Sequence, residues 1–378
     1  MTNIGDENGH DVAGSPKSVW VRPGLWIALV VMMPAAVSVN VCRALSQDSE
    51  EAGFHLPPVV RGAGFNFDHL TVPAKRILSG GPPKDGIPSL TNPRVVPVRE
   101  ADFMQDGYRV IGVTVNGESR AYPVNMLNSH ECINDKLGGV PIAVIYCPLC
   151  DSASVVDRRL GQQVLEFGIS GRLLNSNVLL YDRTNNALWT QVGLQAISGP
   201  NAGRSLVHLN EWSLMRFVDW CKVRPASTVV SFEGRRGDRY HRNPYAERGY
   251  FTNDAIWFPV EPEDLRMPRK TLVIGVKAGD LARAYVVRSI MTTEEGQVRD
   301  RIGDGVIELR ADAETGEVTV RQAPEDAQVV HTFWFAWYAF HPETEIWGLP
   351  GAHPGFPGDC STAKDSDRTD GLDRQGGQ

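Results

Sequence analysis

The sequence predicts a β-rich α+β fold made of two related halves, each with a β-hairpin and a short helix stopped by proline. Three observations carry this expectation. The 378 residues include 37 Gly and 25 Pro, a supply of turn formers that suits many strands better than a helix bundle. A hairpin-like segment occurs twice. An aromatic segment ending at a proline also occurs twice, in the same order.

Residues 1–22 are polar and small, and read as a cytoplasmic leader. Residues 23–42 carry no charge, long enough to span a hydrocarbon core as a transmembrane or signal-anchor helix. Lys17 and Arg22 before this run, with Asp48, Glu50 and Glu51 after it, orient the N-terminus to the cytoplasm. The expectation is a membrane partner through an N-terminal helix. The rest of the chain would then lie outside the cytoplasm, periplasmic or at the cell surface, or secreted if the segment is cleaved. Residues 43–60 read as a linker, 61–350 as the folded region and 351–378 as a polar, disordered tail.

Within the folded region the halves fall at about 85–232 and 240–350. Val110-Ile-Gly-Val with Arg120-Ala-Tyr, and Val273-Ile-Gly-Val with Arg283-Ala-Tyr, align without gaps. Each reads as strand, turn, strand, and Asn116-Gly117 is a strong hairpin signal. Phe217-x-x-Trp220 precedes Pro225, and Trp334-x-x-Trp337 precedes Pro342. Both read as a short amphipathic helix followed by a strand. The dense run 331–340 is expected in the core. The first half is the longer one, and its extra material is expected to include the segment from Asn128 to Cys150.

The 38 basic and 45 acidic residues give a net charge of −7, which argues against a nucleic-acid partner. No nucleophile elbow, zinc-protease, phosphate-loop or dinucleotide motif is present. The chemistry concentrates in His130-Glu131-Cys132 and in Cys147-Pro-Leu-Cys150, which lies between strands. One reading is thiol–disulfide redox chemistry. Cys147 attacks, Cys150 resolves, and His130 or Glu131 exchanges the proton with an unidentified thiol or disulfide partner. A second is a Zn or Cu site with Cys147, Cys150, His130 and Cys132 as ligands, because a turn holding two thiolates is half of a metal knuckle. A third is a non-catalytic envelope protein gripping a ligand through the loop Tyr240–Tyr245. A buried, inert cysteine pair is the bland alternative. Cys221 is expected in a helix core.

From about Gly86 to Trp347 the chain resembles the bacterial family known as domain of unknown function 3179. The matching residues include Asp85-Gly-Ile-Pro-Ser-Leu-Thr-Asn-Pro93, Arg120-Ala-Tyr-Pro123, His130-Glu131, Asn134-Asp135 and Tyr146-Cys-Pro-Leu-Cys150. They continue with Ser170-Gly171, Asn175-Ser176, Tyr181-Asp-Arg183, Trp189-x-Gln191, Pro244-Tyr245 and Phe333-Trp-Phe-Ala-Trp337. The resemblance carries no established activity. Some members look like selenoproteins at the cysteine pair, which implies a redox-active thiol at Cys147 or Cys150. Two positions depart from the family pattern: Asp151 stands where Gly is usual, and Cys132 where an apolar residue is usual.

Overall fold

The computed structural model describes residues 64–232, 237–312 and 314–348. The leader, the apolar run 23–42, the linker 43–60 and the tail 351–378 lie outside them. No helix of the described residues is long and apolar enough to cross a membrane. The α-helices there run to seven residues, roughly 10 Å of rise against a hydrocarbon core of roughly 30 Å. The expected membrane anchoring through an N-terminal helix is corrected on this ground.

Strands dominate, and two large sheets organise them. One runs in the order Leu90–Thr91, Cys132–Leu137, Val140–Cys147, Ser152–Asp157, Gln328–Phe333, Leu272–Ala278, Leu281–Val286, Glu345–Trp347. The other runs Gln297–Ile302, Gly305–Ala311, Val318–Gln322, Trp212–Arg216, Arg109–Val115, Glu118–Pro123, Thr228–Val230, Val95–Pro97.

The two halves are interleaved across these sheets. In the first half, the hairpin Arg109–Val115/Glu118–Pro123 pairs antiparallel with Trp212–Arg216 and parallel with Thr228–Val230. In the second half, Leu272–Ala278/Leu281–Val286 pairs antiparallel with Gln328–Phe333 and parallel with Glu345–Trp347. Each half then sends its next strands into the other sheet. The junctions are single register pairs, Ala153 opposite His331 and Ser213 opposite Thr319.

The same packing devices recur in both halves. Helix Phe217–Val223 lays Trp220 over Gly112, where a Cβ would come within 2.2 Å of the ring. Helix Trp334–Phe340 lays Trp337 over Gly275, where the distance would be 2.1 Å. Each indole N–H is satisfied just past the helix-stopping proline, Trp220 by Ser227 at 2.9 Å and Trp337 by Thr344 at 2.8 Å. Arg120 and Tyr122 both donate to Asp135, at 2.6 and 2.8 Å. Arg283 and Tyr285 donate to Asp300, at 2.5 and 2.8 Å. The run around 331–340 is core as expected, with Trp334, Phe335 and Trp337 fully buried.

The extra length of the first half is placed differently from the sequence reading. The hairpin Cys132–Leu137/Val140–Cys147 has a counterpart in Gln297–Ile302/Gly305–Ala311. It is therefore part of the repeat. The insertion follows it, between Asp157 and Trp212. It builds a four-stranded sheet from Phe167–Leu174, Asn177–Asp182 and Leu188–Thr190 with Leu78–Ser79. Interval length alone reveals that residues were added, but not on which side of a strand.

Candidate functional site

Strand Val140–Cys147 ends at the first cysteine, and strand Ser152–Asp157 begins just past the second. Cys147-Pro-Leu-Cys150 is the turn between them, closed by Cys150 N–H donating to Cys147 O at 3.2 Å. It occupies the place that the turn after Ala311 has in the second half. Both sulfurs are free thiols and are buried, Cys147 at 1% and Cys150 at 0% exposure.

The inserted sheet faces this turn with its own hairpin tip. Asn175 and Ser176 both have positive φ, 52° and 60°, as a tight two-residue hairpin demands. The tip presents the Ser176 carbonyl to the cysteines. Cys150 Sγ lies 3.3 Å from that oxygen and Cys147 Sγ 4.0 Å. Asn177 Nδ2 is 3.5 Å from Cys150 Sγ and 2.8 Å from Gln191 Oε1, which also accepts from Ser152 Oγ at 2.6 Å.

This setting separates the two thiols. Burial raises a thiol pKa, but at Cys147 hydrogen bonds to the thiolate from Cys150 and from the backbone N–H groups of Val178, Cys150 and Leu149 outweigh it, so its pKa is lowered. Burial and the bond to Cys147 push Cys150 well up. The single S–H of Cys150 thus has two acceptors, Ser176 O and the Cys147 sulfur.

Glu131 ends helix Val124–His130 in the left-handed conformation, φ 57°, and its carbonyl accepts from Tyr146 N–H at 2.9 Å. Burial, with Cys147 as its charged neighbour, holds the carboxyl well above the usual range. His130 points elsewhere. Its Nδ1–H donates to Pro88 O at 2.6 Å, so Nε2 is the acceptor for Tyr240 O–H at 2.7 Å. Neither nitrogen is left to bind a metal or to relay a proton to the cysteines. Cys132 is buried on the neighbouring strand, opposite Ile145, and burial pushes its thiol up to about 12. Among the described residues no group of three or more His, Cys, Asp or Glu side chains could hold a metal ion. The expected four-ligand set is not gathered, because the helix turns His130 toward Pro88 and Tyr240.

Asp151 has φ 43°, in the left-handed region that favours glycine. Its carboxylate is compensated: Arg109 donates twice, at 2.9 and 3.2 Å, and Tyr146 O–H donates at 2.7 Å. Burial is outweighed by Arg109, which holds the carboxyl well below the usual range. His331 Nε2 is 3.8 Å away, too far for a hydrogen bond.

A family model described as protein of unknown function (DUF3179) matches residues 84–332. The chain belongs to this family. No curated protein and no solved structure matches it. The match spans the CPLC turn, the inserted strands from Phe167 to Thr190 and the cover over them.

That cover is the loop that the sequence singled out around Tyr240–Tyr245, with its continuation. Tyr240 holds His130. Burial raises the Tyr245 phenol, and the charges of Glu131 and Cys147 add to this. Tyr250 O–H donates to Leu149 O at 2.8 Å, and Trp257 packs on both Tyr245 and Tyr250, with ring centroids 5.8 and 4.6 Å apart. Sequence reasoning missed Tyr250 and Asn177 as neighbours of the pair, and Arg109 as the partner of Asp151. Asn175-Ser176 was visible only as a family motif. Cys221 is half-buried and lies outside this site.

Proposed function

We propose that Cys147 and Cys150 form a thiol–disulfide redox centre. The observation that carries it is geometric: two buried free thiols end one tight turn, closed by Cys150 N–H on Cys147 O, with Ser176 O and Asn177 Nδ2 against the Cys150 sulfur. A β-turn brings its end residues within about 7 Å, inside the reach of a disulfide. In the reducing direction, the Cys147 thiolate attacks a disulfide sulfur of the substrate and expels one thiolate, which takes the Glu131 proton. Cys150 then loses its proton to the Glu131 carboxylate and attacks the Cys147 sulfur. The second substrate thiolate leaves, and the pair is left oxidised with the two electrons transferred. Burial of both sulfurs restricts substrates to small disulfides, or requires Tyr245 and Tyr250 to swing aside.

The test uses wild type, Cys147→Ser and Cys150→Ser with a small disulfide such as 2-hydroxyethyl disulfide. Mass spectrometry should show a reversible Cys147–Cys150 disulfide in wild type and a trapped mixed disulfide at Cys147 in Cys150→Ser. Equal reduction rates in all three proteins would sink the idea.

A further inference from the structure

A cavity of about 400 Å³ is lined in part by Leu174 and Asn175, next to the hairpin tip. Its wall combines this hairpin, the strand end at Lys277 and the end of helix Trp334–Phe340. The protein as a whole is acidic, yet the lining residues include Arg76, Lys277 and His341 and no Asp or Glu. Arg76 Nη2 donates to Asn175 Oδ1 at 3.0 Å and to the Glu261 carbonyl, which leaves Nη1 for a ligand. The nearest carboxylate to it, Glu261, stands 4.0 Å away with its side chain 81% exposed, so water screens it. Lys277 Nζ donates to Gly279 O at 2.6 Å and keeps two further protons for a ligand. His341 Nε2 is buried with no hydrogen-bond partner. Burial and Lys277 keep this imidazole neutral at pH 7, with a pKa of about 4. Phe340 supplies an apolar wall.

We infer that this cavity binds a small organic carboxylate, with Arg76 and Lys277 taking the charge and His341 completing the hydrogen bonds. Two cations in a lining that holds no Asp or Glu, with only the water-screened Glu261 beside one of them, favour an anion. Arg76 Nη1 keeps two N–H groups for a carboxylate oxygen. The apolar wall favours an organic anion over an inorganic one. The inference is independent of the thiol chemistry.

The experiment is calorimetric titration of the full chain with malate, succinate and benzoate at constant ionic strength, with inorganic phosphate in parallel. The Trp337 ring lies 4.1 Å from His341, so indole fluorescence gives a second readout. Saturable binding of at least one carboxylate is expected, weakened about tenfold or more in Lys277→Met and in Arg76→Met. Arg76 also braces the hairpin, so Lys277→Met is the decisive variant if Arg76→Met fails to fold. Absence of saturable binding for all three carboxylates, binding of phosphate alone, or unchanged affinity in Lys277→Met overturns the inference.

Discussion

The Ser176 carbonyl oxygen stands 3.3 Å from the Cys150 sulfur, although the two residues sit in turns between strands of different sheets. The inserted sheet therefore gives the cysteine turn an environment that the matching turn of the second half lacks. Beside Cys147 in its own turn, the polar groups around Cys150 are Ser176 and Asn177, its neighbours in space and not in the chain.

Asn177→Asp places a negative charge where an amide N–H₂ now meets Cys150. Both thiolates become less favourable, and the alkylation rate of the pair by a small reagent at pH 7 falls. The midpoint of the rate against pH moves upward. Stopped-flow alkylation with circular dichroism as a fold control checks this. An unchanged midpoint would remove Asn177 from the thiol environment.

Glu131→Gln keeps the shape and removes the ionisation. The folded-state pKa of Glu131 is raised, so its stabilising protonated form is complete below the unfolded value of about 4.3 and is lost as pH rises. The amide carries no such charge penalty, so the variant gains stability relative to wild type as pH rises above about 4. A melting temperature higher by a few degrees at pH 8 and equal at pH 4 is expected. If Glu131 exchanges protons with the pair, the same variant slows disulfide reduction.

Asp151→Asn tests the charge at a position whose φ of 43° asparagine also accepts. The folded-state pKa of Asp151 is lowered, so its contribution is fully present above the unfolded value of about 3.9 and is lost as pH falls. The variant should cost about 1–3 kcal/mol at pH 7 and flatten the acid limb of stability below pH ~4. The lower part of that range applies because the Arg109 side chain is 37% exposed and water screens it. Urea melts at pH 7 and pH 3 measure both effects.

Gly275→Ala drives a methyl group into the Trp337 ring, and Gly112→Ala does the same at Trp220. Each should cost about 1–3 kcal/mol by overpacking. Gly107→Ala is the control, because nothing lies within 4 Å of its added Cβ. Thermal melts should separate the first two from the third. Equal melts would mean that the two tryptophans do not need the glycines.

Local patterns made a good part of the fold legible. Hairpin chemistry at Asn116-Gly117, the repeated Val-Ile-Gly-Val and Arg-Ala-Tyr strands, and the helices stopped before Pro225 and Pro342 all depend on neighbours in sequence. The cysteine pair was placed correctly in a turn between strands for the same reason. His130 was grouped with the cysteines on proximity in the chain alone. The helix Val124–His130 sends its ring to Pro88 and Tyr240 instead, which spacing does not encode.

The order of residues along the chain establishes the duplication, the strand–turn–strand units and the family. Three further facts come from the folded molecule alone. Each half gives its second set of strands to the other half's sheet, Ser176 and Asn177 meet Cys150, and Arg109 offsets Asp151. The physical reason is the same in each case. A strand's alternation and its turn residues are fixed locally, but any free strand edge offers the same N–H and C=O groups to any partner. Which edge is joined, and which side chains then meet across it, depends on what burial of the whole core permits.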